Sequence, residues 1–323
     1  MNSKFYPIKF QPILKEKIWG GQKLGSILEK PTLLSNVGES WEISDVEGDV
    51  SVVKNGIFKG QSLKELITTY TSEIVGEKNF KIFGDKFPLL IKFIDAKDDL
   101  SIQLHPNDSL ASKRHNSFGK TEMWYVMQAD EDSSLIVGFN QEMNKETYLK
   151  HLEDKTLTQI LNFDKVKAGD TYFIEAGRIH AIGAGVLLAE IQQTSDITYR
   201  VYDWDRVDDQ GNERELHNAI AIDAFDFDMA DDFRVHYNAL PNQSNLMVDC
   251  PYFNTSFLHI TEQVERLNTK DSFFIYLCVE GEGKIESQNH SETISAGETI
   301  LIPAALKSYK ITSDSMKLLE VYV

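Results

Sequence analysis

The strongest constraint on the fold is a twelve-residue frame that occurs twice. Gly169-Asp-Thr-Tyr-Phe-Ile-Glu-Ala-Gly-Arg-Ile-His180 and Gly297-Glu-Thr-Ile-Leu-Ile-Pro-Ala-Ala-Leu-Lys-Ser308 both open on a glycine and an acidic residue. Each then runs through a short β stretch and turns at a small residue. Self-similarity of this kind predicts two copies of one supersecondary unit. Upstream, Trp124-Tyr-Val-Met127 lines up with Ile275-Tyr-Leu-Cys278, which sets Phe273 opposite Glu122, while the frame itself sets Ser308 opposite His180.

The runs between the repeats agree with a mainly β chain. Leu89–Ile94, Met123–Met127, Thr171–Ile174 and Val186–Ile191 are short, apolar and bounded by turn-forming residues, as strands are. Two segments read as helical instead. Ser62 with Glu65 three residues on is a capping-box pattern. Asn144 to Phe163 carries apolar residues at helical spacing, broken near Asp154-Lys155. The composition turns polar and acidic over Asp203–Glu215 and again around Pro241–Asn245, and the second stretch is read as a linker. The expected organisation is residues 1–240 as one unit with small helical insertions, and 241–323 as a second.

Residue types in three separate segments suggest chemistry in the first unit. Gln103, His105, Glu122 and His180 supply an amide, two imidazoles and a carboxylate, a donor set suited to a divalent metal such as zinc. Gln103 and His105 stand two apart, so on a strand both face the same side. Lys120 is related to Glu122 in the same way and is a partner for substrate oxygens or a phosphate. The second copy lacks these donors, so one metal site is predicted. The other histidines read as packed or surface residues. Asp223–Asp232 lacks the spacing of a calcium loop and reads as a solvated acidic turn.

Bulk properties exclude several classes. A formal net charge of −17 is wrong for a nucleic-acid partner. It also requires local lysines and arginines around any anionic substrate. No apolar run reaches the roughly 20 residues that cross a bilayer, and the start, Met1-Asn-Ser-Lys, carries no signal core. Cys250 and Cys278 make no disulfide framework. A cytoplasmic protein without membrane partners is expected.

The glycine frame resembles the second conserved motif of cupins, with Glu175 in place of its proline. The second copy keeps Gly297 and Pro303 but has Ala305 and Ser308 at the glycine and histidine positions. Over nearly the whole length the chain resembles a type I mannose-6-phosphate isomerase of the shorter bacterial form. The resemblance is carried by Lys17–Gly21, Gly38–Ile43, Pro88–Ala96, Ile102–Asp108, Gly119–Tyr125 and Leu187–Asp203.

That resemblance implies two cupin-type jelly-roll barrels. It also implies one zinc ion per chain and interconversion of mannose 6-phosphate and fructose 6-phosphate through an enediol. It assigns Arg200 to catalysis, to stabilise an enediolate or place the substrate. Glu190 and Asp196 match acidic positions of the family's active-site segment, and the base is expected among them and a metal-bound water. Trp19 and Ser40 are expected to line the substrate pocket. The competing readings are an iron-dependent cupin oxygenase and a non-catalytic sugar-phosphate binder. Gln103, where a second histidine is expected, disfavours the first, and retention of Arg200 with all four donors disfavours the second.

Overall fold

The computed structural model describes residues 4–207, 210–288 and 290–323, so Met1–Ser3 and Asp208–Asp209 of the segments read above lie outside it. The first barrel has two facing antiparallel sheets. One runs, in spatial order, Ile13–Gly21, Val37–Ile43, Leu89–Ala96, Val186–Gln193, Glu122–Ala129 and Thr171–Ile174. The other runs Tyr199–Tyr202, Ile102–Leu104, His180–Ile182, Ser134–Phe139 and Leu161–Lys165. The chain crosses repeatedly from one sheet to the other, which makes this a cupin-type jelly roll.

The central strands of the larger sheet are apolar on both faces, and the structure explains why. Ile94, Trp124, Val126 and Leu188 point into the barrel, where they meet Leu135, Val137 and Ile182 of the opposing sheet. Ile91, Phe93, Met123, Leu187 and Ala189 point outward into a core shared with the second barrel. A strand buried on both sides reads as a continuous apolar run instead of an alternation.

Ser62 and Glu65 form a full capping box at the head of the Leu63–Tyr70 helix. The second helical segment is shorter than its periodicity suggested. An α-helix covers Lys145–Glu153, Lys155 adopts φ 56°, and a 3-10 turn over Leu157–Ile160 leads into a strand at Leu161. Apolar residues at helical spacing here serve two different elements. An unanticipated helix, Asp108–His115, is capped by Asn107 and buries only Ala111, so it has no apolar stripe to find.

The second barrel orders its main strands Asn245–Asp249, Asn254–Ile260, Met316–Tyr322, Phe274–Ser287, Ser308–Thr312 and Val264–Leu267. His290–Ser295 and Thr299–Ile302 pair with its long strand. Pro241–Asn245 is no loose tether: Asn242 donates its amide to the His259 carbonyl, and Asn245 opens the first strand. The early chain joins this barrel too, with Ile8 bridged to Leu301 and Phe5, Tyr6 and Phe10 in the shared core.

The two copies superimpose with a shift from the sequence alignment. Ile174 pairs with Glu122, and its counterpart Ile302 pairs with Phe274. Phe274, not Phe273, therefore holds the place of Glu122; Phe273 faces outward against Phe87, ring centroids 4.7 Å apart. His180 pairs with Gln103 as Tyr309 pairs with Arg266. Tyr309 points inside and is buried, whereas Ser308 faces solvent. The turn is one residue longer in the second copy (302 to 309 against 174 to 180). Side chains alternate with period two, so that single residue exchanges the inner and outer sets.

Candidate active site in the first barrel

The cluster forms where the small sheet faces the large one. Register places Arg200, Gln103 and His180 side by side on three adjacent strands. His105 follows Gln103 on the same face, and the turn before His180 is locked to it. Gly177 holds φ +92° and donates its amide to the His105 carbonyl, 2.8 Å away. A Cβ at Gly177 would sit 2.4 Å from the Ala224 carbonyl oxygen, so only glycine fits. Arg178 anchors the same turn through Asp226 at 2.8 Å and Glu175 at 3.0 Å.

Ligand atoms of His105, Glu122 and His180 all lie within 4.8 Å of one another, and all three residues are buried. The two Nε2 atoms are 3.1 Å apart, and Glu122 Oε1 is 3.2 Å from His105 Nε2. The Gln103 amide nitrogen is 3.5 Å from His180 Nε2. Each Nδ1 is engaged by a main-chain carbonyl, that of Ile197 for His105 and of Arg178 for His180, both within 2.9 Å. Those bonds place the proton on Nδ1 and turn the Nε2 lone pair of each ring toward the centre. Glu122 Oε2 is buried without a hydrogen-bond partner. Two oriented imidazoles and an orphaned carboxylate oxygen are the donor set of a metal centre, so the residues present fit such an ion.

Electrostatics hold these groups in their ligand forms. Burial, then the Lys120 charge, depresses His105 to about 4, and burial lowers His180 as well. Burial alone would raise Glu122, but Lys120 and then His105 outweigh it and keep the carboxyl well below its usual range. Lys120 is bonded to Glu122 and lies 3.1 Å from His105 Nε2.

A second buried chain of charge lines the barrel beside the cluster. Register aligns Trp41, Lys92, Glu190 and Trp124 across four strands. Lys92 Nζ is 3.1 Å from Glu190 Oε1, and Trp124 donates its indole N–H to Glu190 Oε2 at 2.9 Å. Glu39 accepts from Trp41 Nε1 at 2.6 Å and lies 3.4 Å from Lys17. Burial works against the charge on both Glu39 and Lys92. Lys92 and Lys17 nevertheless lower Glu39, while Glu190 and Glu39 raise Lys92. Glu39 and Lys92 had no assigned role in the sequence reading, whereas Trp41 was expected beside Ser40 at the pocket. The available signal was a lysine in the middle of the apolar run Leu89–Ile94.

The remaining sequence-derived residues are scattered more widely. Trp19 packs on Gly38 and belongs to the apolar cluster with Trp124. Arg200 is half-buried at the sheet edge, with Nη1 on the Glu215 carbonyl at 2.8 Å and Nε unpaired. Asp196 is exposed in the turn one residue before Ile197, which orients His105. Ser40 is not brought to the cluster. It alternates with Glu39 and Trp41 onto the outer face of its strand, where it donates to Glu42 at 2.6 Å.

Fold and cluster together define a cupin with a metal-competent centre inside its first barrel. The catalytic domain of type I phosphomannose isomerases matches residues 8–136, and the cupin domain of mannose-6-phosphate isomerases matches residues 242–323. The mannose-6-phosphate isomerase ManA of Bacillus subtilis is 35% identical over 94% of this chain and 95% of its own length. That of Streptococcus mutans is 34% identical over 95% and 96%. The crystal structure of the mannose 6-phosphate isomerase from Bacillus subtilis aligns with a TM-score of 0.89 at 32% identity, covering 98% of this chain and 99% of that one. The chain belongs to the type I phosphomannose isomerase family.

Proposed function

We propose that this chain interconverts mannose 6-phosphate and fructose 6-phosphate in the cytoplasm, through an enediolate, with one zinc ion held by Gln103, His105, Glu122 and His180. The observation that carries the reading is the convergence of two oriented Nε2 atoms and the unpaired Glu122 oxygen in a chain of this family. When bound, the ion supplies a Lewis acid for sugar oxygens and for the negative charge that develops on them. Residues 1–240 do the chemistry; residues 241–323 form the unit without metal ligands.

Isomerisation moves one proton between C1 and C2 and another between O1 and O2, with no change in overall composition. Arg200 stabilises the enediolate oxygens or sets the substrate with the part of its guanidinium that the Glu215 carbonyl leaves free. Lys120 neutralises Glu122 and offers an ammonium to substrate oxygens or the phosphate. Trp19 forms apolar wall. The base is drawn from Glu190, fixed between Lys92 and Trp124, and Asp196, free in the exposed turn. Exchange of the substrate C2 hydrogen with solvent separates them: the carboxylate whose amide variant still exchanges at the wild-type rate is not the base.

The deciding experiment is a coupled assay of zinc-reconstituted protein with mannose 6-phosphate, beside an EDTA-treated sample and His105→Ala. Turnover lost in both controls is the expected result. A folded, zinc-loaded protein that binds the sugar phosphate without converting it would be a binding protein. A ferrous requirement with oxygen consumption would make it an oxygenase.

A further inference from the structure

The second barrel keeps a polar centre where the first has its metal cluster. By register, Arg266 stands in the place of Gln103, Tyr309 in that of His180 and Phe274 in that of Glu122. The correspondence extends to the neighbouring row. Tyr276 pairs with Glu320 and Glu320 with Ser256, as Trp124 pairs with Glu190 and Glu190 with Lys92. Glu320 accepts from Tyr276 Oη at 2.7 Å, as Glu190 accepts from the Trp124 indole.

Arg266 is bonded to Glu320 and donates to Ser244 Oγ at 2.9 Å; Ser244 donates to the other Glu320 oxygen at 2.7 Å. Tyr276 and Tyr309 share a hydrogen bond of 2.8 Å. A fixed guanidinium thus lies at a position that in the first barrel carries an amide donor, and the metal-binding residue types are gone.

This centre opens on a cavity of about 290 Å³. Its lining includes the aromatic residues Phe274, Tyr309 and Tyr322, the first two almost fully buried, with Leu267, and the polar groups Glu320, Arg266, Ser244 and Ser256. Lys270 stands at the same cavity with Nζ 4.9 Å from the Tyr322 ring centroid, and Glu265 is also at its edge. Two cations therefore face two carboxylates, and the lining has no net charge to hold a free anion. Tyr322, the partly exposed ring of the three, suits the C–H face of a pyranose, and the Arg–Glu pair with serine hydroxyls suits its ring hydroxyls. The volume lies at the small end of the about 300–1,000 Å³ typical of ligand clefts, which selects a single ring.

We propose that the second barrel binds a neutral monosaccharide, without metal and independently of the catalytic barrel. The probe is methyl α-D-mannopyranoside, a closed glycoside that cannot isomerise, followed by saturation-transfer NMR on the full zinc-loaded chain. Saturating mannose 6-phosphate is added to occupy the first barrel. Transfer is expected to persist under that competition. It should weaken at least fivefold in Tyr322→Ala, which removes a stacking face, and in Ser256→Leu, which fills the cavity. Mannose 6-phosphate turnover within twofold of wild type in both variants certifies the fold.

Absence of transfer in the wild type overturns the proposal, as does transfer abolished by mannose 6-phosphate or unchanged in folded variants. Inorganic phosphate bound in a Lys270-dependent manner, with no glycoside binding, would show an anion site and equally overturn it. Turnover is only the fold control, so failure of the isomerase reading and failure of this one remain distinguishable.

Discussion

Each imidazole of the cluster is oriented by the nitrogen that faces away from it, through Ile197 and Arg178 carbonyls. Glu122 Oε2 has no partner, so replacing the carboxylate takes one donor from the cluster while leaving in place the carbonyl bonds that orient the two imidazoles. Glu122→Gln is expected to lower bound zinc well below one per chain by elemental analysis. Activity should drop at least about 100-fold, the upper end of what loss of a mere supporting partner costs a metal site.

His105 also sets an acid limit. Its folded value, about 4, lies below its unfolded value near 6.5, so the unfolded chain binds the proton first. The stability it contributes is complete above pH 6.5 and is lost as pH falls toward 4. Glu39 and Glu122, both lowered from 4.5, extend the loss below that value. Metal-free protein should therefore show a falling melting temperature from about pH 6.5 downward; a flat profile to pH 4 would contradict the assigned burial. At this scale the sequence was legible where spacing carries the information, as in Gln103 with His105 and Lys120 with Glu122. It was silent on Glu39 and Lys92, whose roles depend on cross-strand register.

The Val37–Ile43 strand works on two sides at once. Glu39 and Trp41 face the barrel interior, while Ser40 and Glu42 face the second barrel. There Lys30 Nζ reaches both Glu42 Oε1 at 2.6 Å and the Gly297 carbonyl at 2.5 Å. Both side chains of this ion pair are only 6% exposed. Glu42→Ala strands a buried ammonium and is expected to cost about 3–5 kcal/mol, read as reduced urea resistance. The double replacement Lys30→Met with Glu42→Leu should recover most of that loss. Ser40 was expected at the pocket from its sequence company, but strand alternation turns it to this joint. Strand existence was readable at Leu89–Ala96 and Val186–Gln193. The end of the Lys145 helix was not, because the apolar residues beyond it belong to a 3-10 turn and an edge strand.

For the molecule as a whole, the repeat announced two barrels but not how they meet. A strand apolar on both faces does not say which face points to which partner. The structure puts Ile91, Phe93, Met123 and Leu187 of the first barrel in one core with Ile275, Leu277 and Leu319 of the second. Residues 1–240 alone would expose that face, a large contiguous apolar patch. The isolated fragment is expected to aggregate or bind a hydrophobic dye, whereas the full chain unfolds in one cooperative step. A soluble, cooperatively folding fragment would refute the shared core. Among the described residues no helix is long and apolar enough to cross a membrane.

The extra residue between Ile302 and Tyr309 makes a metal centre hard to build in the second barrel. Writing histidine at Ser308, as the aligned sequences invite, would place an imidazole in bulk water. Installing the ligand would need a deletion in the turn or a change at Tyr309, and also a carboxylate at Phe274. No single one of these steps builds a centre, so the difference between the two barrels is robust to point substitution.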